Sequence, residues 1–374
     1  MTTRRRGSVQ LHRGRFHAVG SYTDPATGNR KRYWGPARTT KTEANKDLTA
    51  FYAQTDSRTF VEPSKQTLKD YLLIEWLPAI RTTVKPSTWD SYRRAISGHV
   101  VPRIGLTPLS KVTPAHLNGL YADLLDTLSP KTVRNDHTIL HRALKDAVRW
   151  GKLAKNPADY ADPPRVVKPE MTCWTGEDVR AFLGWVNEDR LHPLYLLACT
   201  TGMRRGELLG LRWSDLTLDT GRLSVKQTLI SVAYKVQFSE PKTNRSRRTF
   251  SLDPATVNAL KAWRSHQLEE RLAWGPAWED TGLVFTRENG AAIHPQALSD
   301  HFEATVKKAQ LPKLSLHGLR HSYATLALAS GMKPWDLSDR LGHASVAFTL
   351  SVYRHAIQGS QDDAATAAAA FILG

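Results

Sequence analysis

The sequence predicts a multidomain, predominantly helical protein in three parts: a small α+β N-terminal domain, an all-α block, and a mainly α, mixed α/β C-terminal domain. Three observations point there. At 374 residues the chain exceeds what one ordinary core accommodates. Residues 1–62 are polar, basic and rich in turn residues, whereas 65–160 carry helical hydrophobic spacing almost throughout. A proline-rich stretch at 161–170, with Pro163, Pro164 and Pro169 and charges of both signs, then reads as a linker to a mixed pattern over 171–374.

Within 1–62, short strands are expected at 16–22 and 30–34, joined by the turn Asp24-Pro25-Ala26-Thr27-Gly28, with a helix from 41 to about 53. Basic and aromatic residues alternate here: Arg13, Arg15, Phe16, Arg30, Lys31, Arg32, Tyr33 and Trp34. A sheet with a helix on one face would lay these side chains along phosphates or into a groove. The alternative is a basic leader without a fold.

In the second block, Leu68, Tyr71, Leu72 and Trp76 define an amphipathic helix from 67 to 77, with Pro78 as its stop. Ser87, with Asp90 three residues on, has the pattern of a capping box. Thr113-Pro114 opens another helix through Leu117, Leu120, Tyr121, Leu124 and Leu125. The clearest helix starts at Ser129 (N-cap) and Pro130 and ends at Gly151, burying Val133, Leu140, Ala143, Leu144, Ala147 and Val148. Arg134, Arg142, Lys145 and Arg149 fall on its polar faces, either as a solvated stripe or as phosphate contacts.

The third block begins with helices near 176–186 and 191–200. Short strands follow at 216–218 and 223–225, then a hairpin over about 233–252 and a β segment at 283–286 with a turn at Asn289-Gly290. The remainder reads as helical, with an Ala-rich tail at 364–370.

With 52 Lys+Arg against 35 Asp+Glu the net charge is +17, and nucleic acid is the natural polyanionic partner. No apolar run approaches the ~18 residues of a membrane span, and no apolar segment follows the basic N-terminus, so a cytoplasmic protein is expected. Cys173 and Cys199 have neither CxxC nor zinc spacing and read as inert thiols. P-loop, GxGxxG, HExxH and acidic two-metal patterns are missing from the sequence, so neither cofactor nor metal is expected.

What remains is a constellation suited to a phosphodiester. Its non-bridging oxygens carry charge and its alkoxide leaves badly. Metal-free cleavage therefore needs a fork of donors, a nucleophile and an acid for the leaving oxygen. Arginine meets the first need, because its planar guanidinium donates two parallel hydrogen bonds and stays charged. The segment Thr201-Gly202-Met203-Arg204-Arg205-Gly206-Glu207-Leu208 offers Arg204 or Arg205 at the first turn of a helix, with Glu207 one turn on to brace it. In His317-Gly318-Leu319-Arg320-His321, positions i and i+3 share a helix face, so His317 and Arg320 converge while His321 points elsewhere and serves packing. Arg340-Leu341-Gly342-His343 puts a histidine just past a helix end. Tyr195, Tyr234, Tyr323 and Tyr353 are the nucleophile candidates around these segments.

The order and spacing of these segments resemble the tyrosine recombinase (phage integrase) family, through most of the chain. The resemblance selects Arg204, which directly follows Thr-Gly-x, and Tyr353, ten residues after His343. It implies Arg204, Lys242, His317, Arg320, His343 and Tyr353 as the catalytic set, with Tyr353 as nucleophile. Lys242 in Glu240-Pro241-Lys242-Thr243 is similar to the hairpin lysine that protonates the leaving 5′ oxygen. His317 would move the tyrosyl proton, and His343 would donate to a non-bridging oxygen. Arg245, Arg247 and Arg248, beyond Lys242, are expected to grip the DNA backbone.

The resemblance further implies that 1–62 is an arm-type DNA-binding domain of three strands plus a helix, as in bivalent integrases, and 65–160 a core-type DNA-binding domain. It implies a homotetramer acting on double-stranded DNA attachment sites, with accessory DNA-bending and excision factors. Integration or excision of a phage or other mobile element would proceed through a 3′-phosphotyrosyl intermediate and a Holliday junction, with no cofactor. A type IB topoisomerase-like strand transferase, or a DNA-binding regulator without catalysis, are the competing functions.

Overall fold

The computed structural model describes residues 7–23, 28–56, 65–167, 172–239, 247–343 and 345–358, with side chains omitted at 348 and 354–358. The expected turn at Asp24–Thr27, Lys242, Arg245, most of the segment around them and the Ala-rich tail lie outside the described residues. The chain divides into two compact units, 1–167 and 168–374.

The first unit opens with strands β1 (Ser8–His12), β2 (Arg15–Thr23) and β3 (Arg30–Trp34) in one antiparallel sheet of order β1-β2-β3. Arg13 and Gly14 make the first hairpin turn, both at positive φ. Helix α1 (Lys41–Asp56) packs on the sheet through Phe51, whose ring stacks on Tyr33 at 4.1 Å. Gly20 lies under this contact, where a Cβ would come within 2.6 Å of Phe51. Strand alternation turns Arg30, Arg32 and Trp34 to the face opposite Tyr33. On that face Arg30 bonds Ser21, Arg32 reaches Gln10, and the Arg32 guanidinium lies 5.4 Å from the Trp34 ring centroid.

Residues 65–160 are helical. Helix α2 (Leu68–Asp70) passes through a π-helical turn at Tyr71–Trp76 into α3 (Leu77–Ile80). Pro78 therefore does not stop the helix. The wider turn places it in the first residues of α3, where its missing N–H costs no hydrogen bond. The same device recurs where α4 (Pro86–Ala95) continues through Ile96–Val100 into α5 (Val101–Ile104). Ser87 is not the cap of α4. The helix begins at Pro86, and Asp90 is buried between Arg93 and Arg94.

Helix α6 (Pro114–Leu125) is capped by Thr113 and His116, and α7 (Pro130–Arg149) by Ser129. Such a cap contributes ~1 kcal/mol. The core gathers Tyr71, Trp76, Leu117, Leu140 and Leu144. Its polar tips are satisfied, with Tyr71 donating to the Ala143 carbonyl at 2.6 Å and Trp76 to Asp146 at 2.8 Å.

The second unit begins with α8 (Gly176–Trp185), α9 (His192–Thr201) and the short α10 (Arg205–Leu209). Strands β4 (Leu216–Thr217), β5 (Arg222–Val225), β6 (Thr228–Val232), β7 (Lys235–Ser239) and β8 (Arg248–Ser251) follow. The segment 233–252 is not one hairpin. β7 turns back on β6 through Ala233 and Tyr234, both at positive φ, while β8 pairs with β5 in the sheet β4-β5-β8. Residues 283–286 contribute only isolated bridges, Arg212 to Leu283 and Thr286 to Ala292.

Helices α11 (Pro254–Trp274), α12 (Pro295–Lys308), α13 (Leu316–Ala329), α14 (Pro334–Leu341) and α15 (Val346–Gln358) complete the unit. Its core centres on Trp174, Phe182, Tyr195 and Phe302, with ring centroids 5.2–5.9 Å apart. Among the described residues no helix is long and apolar enough to cross a membrane.

Candidate active site

The site is built where α9 ends. Gly202 takes the left-handed conformation (φ +64°), and any Cβ there would lie 2.5 Å from Tyr323 and 2.8 Å from Leu341. The chain can thus turn and approach α13 and α14 closely only with glycine at this position. Arg204 then sits at the N-cap of α10, one position before the expected first turn. Glu207 accepts from the Arg204 backbone N–H at 2.9 Å and from Nη1 at 2.8 Å, which braces the guanidinium as the spacing predicts.

Arg320 projects from α13 and is 3% exposed. Its Nη1 donates to the Gly202 carbonyl at 2.8 Å and its Nη2 to the Leu341 carbonyl at 2.7 Å. Arg204 Nη2 donates to the next carbonyl, of Gly342, at 3.1 Å. The preceding carbonyl, of Arg340, accepts from Nε of Arg248. Three consecutive carbonyls at the end of α14 thus take three different guanidinium groups, as the negative end of a helix favours.

Arg248, which the sequence assigns to the DNA backbone, is held inside this cluster. Its side chain is only 6% exposed and forks onto Glu207 at 3.1 and 2.8 Å. Burial alone would raise the Glu207 pKa, but the Arg248 hydrogen bonds and charge, with Arg204, overcome it and hold the carboxyl at about 2.

Gly342 ends α14 in the left-handed conformation, and His343 follows, buried, with Nδ1 2.8 Å from the Thr349 hydroxyl. α15 is broken at Tyr353, whose backbone is non-helical (φ −112°, ψ 21°). The Tyr353 side chain is 3% exposed, packed with Leu337 and Leu341, and its ring lies parallel to His343 at 6.4 Å. His321 does not merely pack. Its Nδ1 is 2.8 Å from the Tyr353 hydroxyl, because the broken helix brings the ring back onto α13. His317 is exposed at the surface of α13 and meets His321 edge-on at 4.8 Å.

The structure therefore brings Arg204, Arg320, His343 and Tyr353 together with Glu207, His321 and Arg248, and places His317 beside them. The sequence assigns His321 to packing and Arg248 to the DNA backbone; the i,i+4 spacing of His321 from His317 is the signal that places it here, while the position of Arg248 follows only from the β5–β8 pairing.

Burial pushes Tyr353 up to about 12, against the pull of Arg320. Burial, then neighbouring His317 and Arg320, push His321 down to about 4. Burial with Arg320 and Arg204 does the same for His343. His317, though exposed, is lowered by partial desolvation against the site and then by the charges of Arg320, Arg204 and Arg205. Among the described residues no group of three or more His, Cys, Asp or Glu is placed to hold a metal ion.

The other predicted contact residues are placed as follows within their own units. Arg13, Arg15 and Arg32 are exposed on the N-terminal sheet, and Lys145 is exposed on α7. Arg134 reaches the Pro164 carbonyl at 3.4 Å, and Arg149 pairs with Asp146. Arg142 is half-buried against Tyr92, donating to its hydroxyl at 3.3 Å, which limits its reach. Arg247 is exposed just before β8.

Residues 175–359 match the model of the phage integrase family, and 67–125 match that of the phage integrase N-terminal SAM-like domain. A tyrosine recombinase XerC-like protein of Caldanaerobacter subterraneus subsp. tengcongensis is 29% identical over 80% of this chain and 81% of its own length. The ICEBs1 integrase of Bacillus subtilis is 25% identical over 95% of this chain and 97% of its own. In fold, the chain is similar to the Tn1549 transposon integrase solved with transposon right end DNA (TM-score 0.68, 22% identity, 82% of this chain and 100% of that one). It is also similar to lambda integrase solved as a tetramer on a Holliday junction (TM-score 0.58, 17% identity, 90% and 96%). The chain belongs to the phage integrase family of tyrosine recombinases. It is an enzyme of DNA strand cleavage and rejoining.

Proposed function

We propose that the chain integrates and excises a phage or other mobile element, with Tyr353 as its nucleophile. The observation that carries the assignment is the convergence of two guanidinium groups, Arg204 and Arg320, on the segment that leads through His343 to the Tyr353 hydroxyl. The tyrosyl oxygen attacks the scissile phosphorus and passes its proton to a histidine. The 5′ oxygen leaves with a proton from Lys242, and a 3′-phosphotyrosyl bond holds the strand. The 5′-hydroxyl of the partner duplex then attacks that bond and releases Tyr353. Two such rounds pass through a Holliday junction. Arg204 and Arg320 carry the charge that builds on the non-bridging oxygens, and His343 donates a further hydrogen bond.

Four copies on two double-stranded attachment sites make this exchange in the cytoplasm, aided by DNA-bending and excision factors. The work divides among 1–62 as an arm-type module, 65–160 as a core-type module, 161–170 as linker and 171–374 as the catalytic part. The exposed face of Arg30, Arg32 and Trp34 supports DNA contact by the first module. The test is a nicked duplex built on the direct repeats flanking the element. The full chain should form an SDS-resistant adduct and, with two intact sites, exchange strands. Relaxation of supercoils without exchange would favour a topoisomerase instead.

A further inference from the structure

Arg248 is a third guanidinium in a site whose phosphate chemistry uses two. It opens β8, directly after the residues that carry Lys242 and Arg245, and so belongs by position to a DNA-gripping run. Its surroundings say otherwise. Glu207 is 5% exposed, and its acceptor positions are divided between two arginines: Oε1 takes Nη1 of Arg204 and Nη1 of Arg248, while Oε2 takes the Arg204 backbone N–H and Nη2 of Arg248. Nε of Arg248 is held in turn by the Arg340 carbonyl. Reaching a DNA phosphate would mean giving up this fork and leaving a carboxylate buried with one partner, which is costly.

We infer that Arg248 is a positioning residue for phosphate activation: it fixes Glu207, and through Glu207 the guanidinium of Arg204, without touching the DNA. This rests on the role proposed for Arg204. Arg204 is 38% exposed and must keep part of its guanidinium for the phosphate, so it cannot neutralise Glu207 alone. Arg248 supplies the missing charge from the buried side, and its fork leaves the carboxylate one orientation. With Glu207 fixed, Arg204 has both its backbone and its Nη1 pinned, and the Gly342 carbonyl sets the rest of its plane. A lysine would keep the charge and lose the fork. The same anchor ties β8 to the end of α14.

The experiment separates this role from a DNA grip and from a plain structural ion pair. The full-length wild type, Arg248→Lys and Arg248→Gln are compared on nicked duplexes built on the flanking direct repeats. One duplex carries an ordinary scissile phosphate, the other a methylphosphonate, which removes the charge that Arg204 serves. Both variants should bind DNA nearly as well as wild type, since one buried contact is not part of the salt-sensitive phosphate interface. Adduct formation on the ordinary phosphate should slow about 100-fold, as for a misplaced oxyanion donor. On the methylphosphonate most of that loss should disappear.

An equal defect on both duplexes, an unchanged rate, or affinity falling in step with cleavage would each overturn the inference. If the Arg248 variants do not fold, Glu207→Gln, which keeps shape and removes charge, carries the same comparison with the same expected pattern. A wild type that forms no adduct on either duplex sinks the functional reading and this inference with it. A wild type that reacts beside variants that react equally sinks only this one.

Discussion

Nδ1 of His321 lies 2.8 Å from the Tyr353 hydroxyl, on the nucleophile that the resemblance would pair with His317. Tyr353 is pushed up to about 12 by burial, so it cannot ionise unaided near neutral pH. His321, held down to about 4, is a neutral imidazole there and can accept the phenolic hydrogen. Tyr353→Phe should bind DNA as wild type does and form no covalent adduct. His321→Phe should keep binding and slow adduct formation about 100-fold, the scale of a lost proton acceptor. An adduct from Tyr353→Phe, seen on a denaturing gel, would remove Tyr353 from the mechanism.

Arg204 and Arg320 should matter for rate more than for affinity. Each is one contact within a basic chain of net charge +17. Replacement of either by Ala should cut cleavage by about 100- to 1000-fold, and Lys should restore little because it lacks the planar fork. Single-turnover rates measured at saturating protein decide this. Loss of affinity equal to loss of rate would contradict it.

Acid should destabilise the chain through two sets of groups. His321 and His343 titrate near 4 when folded against the usual 6.5, so the unfolded chain binds more protons between about 6.5 and about 4. Their contribution is in place above that range and is lost as pH falls through it. Glu207, depressed to about 2 from 4.5, adds a further loss between those values. Denaturant titrations of DNA-free protein at stepped pH should show this fall, and His343→Gln should flatten its upper part. A stability independent of pH from 6.5 to 4 would refute the buried-neutral assignment of both histidines.

Deleting 1–62 should spare core-site cleavage and impair recombination between full attachment sites, because two linked modules gain affinity through effective concentration. Arg30→Ala and Arg32→Ala should reproduce part of this effect, since both side chains face away from α1. A truncated protein that recombines full sites as well as the intact chain would leave the N-terminal sheet without a DNA role.

The sequence carried these readings unevenly. Helix α7 was legible at both ends, since Ser129, Pro130 and Gly151 act locally. So were Gly202 and Gly342, which occupy left-handed positions just before Arg204 and His343. Pro78 misled because a π-helical turn, decided by packing around Tyr71 and Trp76, absorbs a proline that would otherwise end the helix. The partners of Arg248, Glu207 and the Arg340 carbonyl, were not legible because they are far from it in sequence and are reached only through the β5–β8 pairing. His321 was underread because it was judged against its neighbour Arg320, whereas its i,i+4 spacing from His317 puts the two rings 4.8 Å apart on one face, and the departure from helical geometry at Tyr353 brings the hydroxyl to it.

The carbonyls of Arg340, Leu341 and Gly342 hold Arg248, Arg320 and Arg204 in that order. A helix advances ~100° per residue, so a one-residue insertion or deletion within Pro334–Leu341 would turn all three acceptors away from their arginines together. The spacing between Pro334 and Gly342 is consequently under as tight a constraint as any side chain in the site. An exposed position such as Trp335, 56% accessible, contributes to this constraint through its place in the count rather than through contact with the three arginines. Length here acts as a catalytic specification, which a comparison of residue identities alone would overlook.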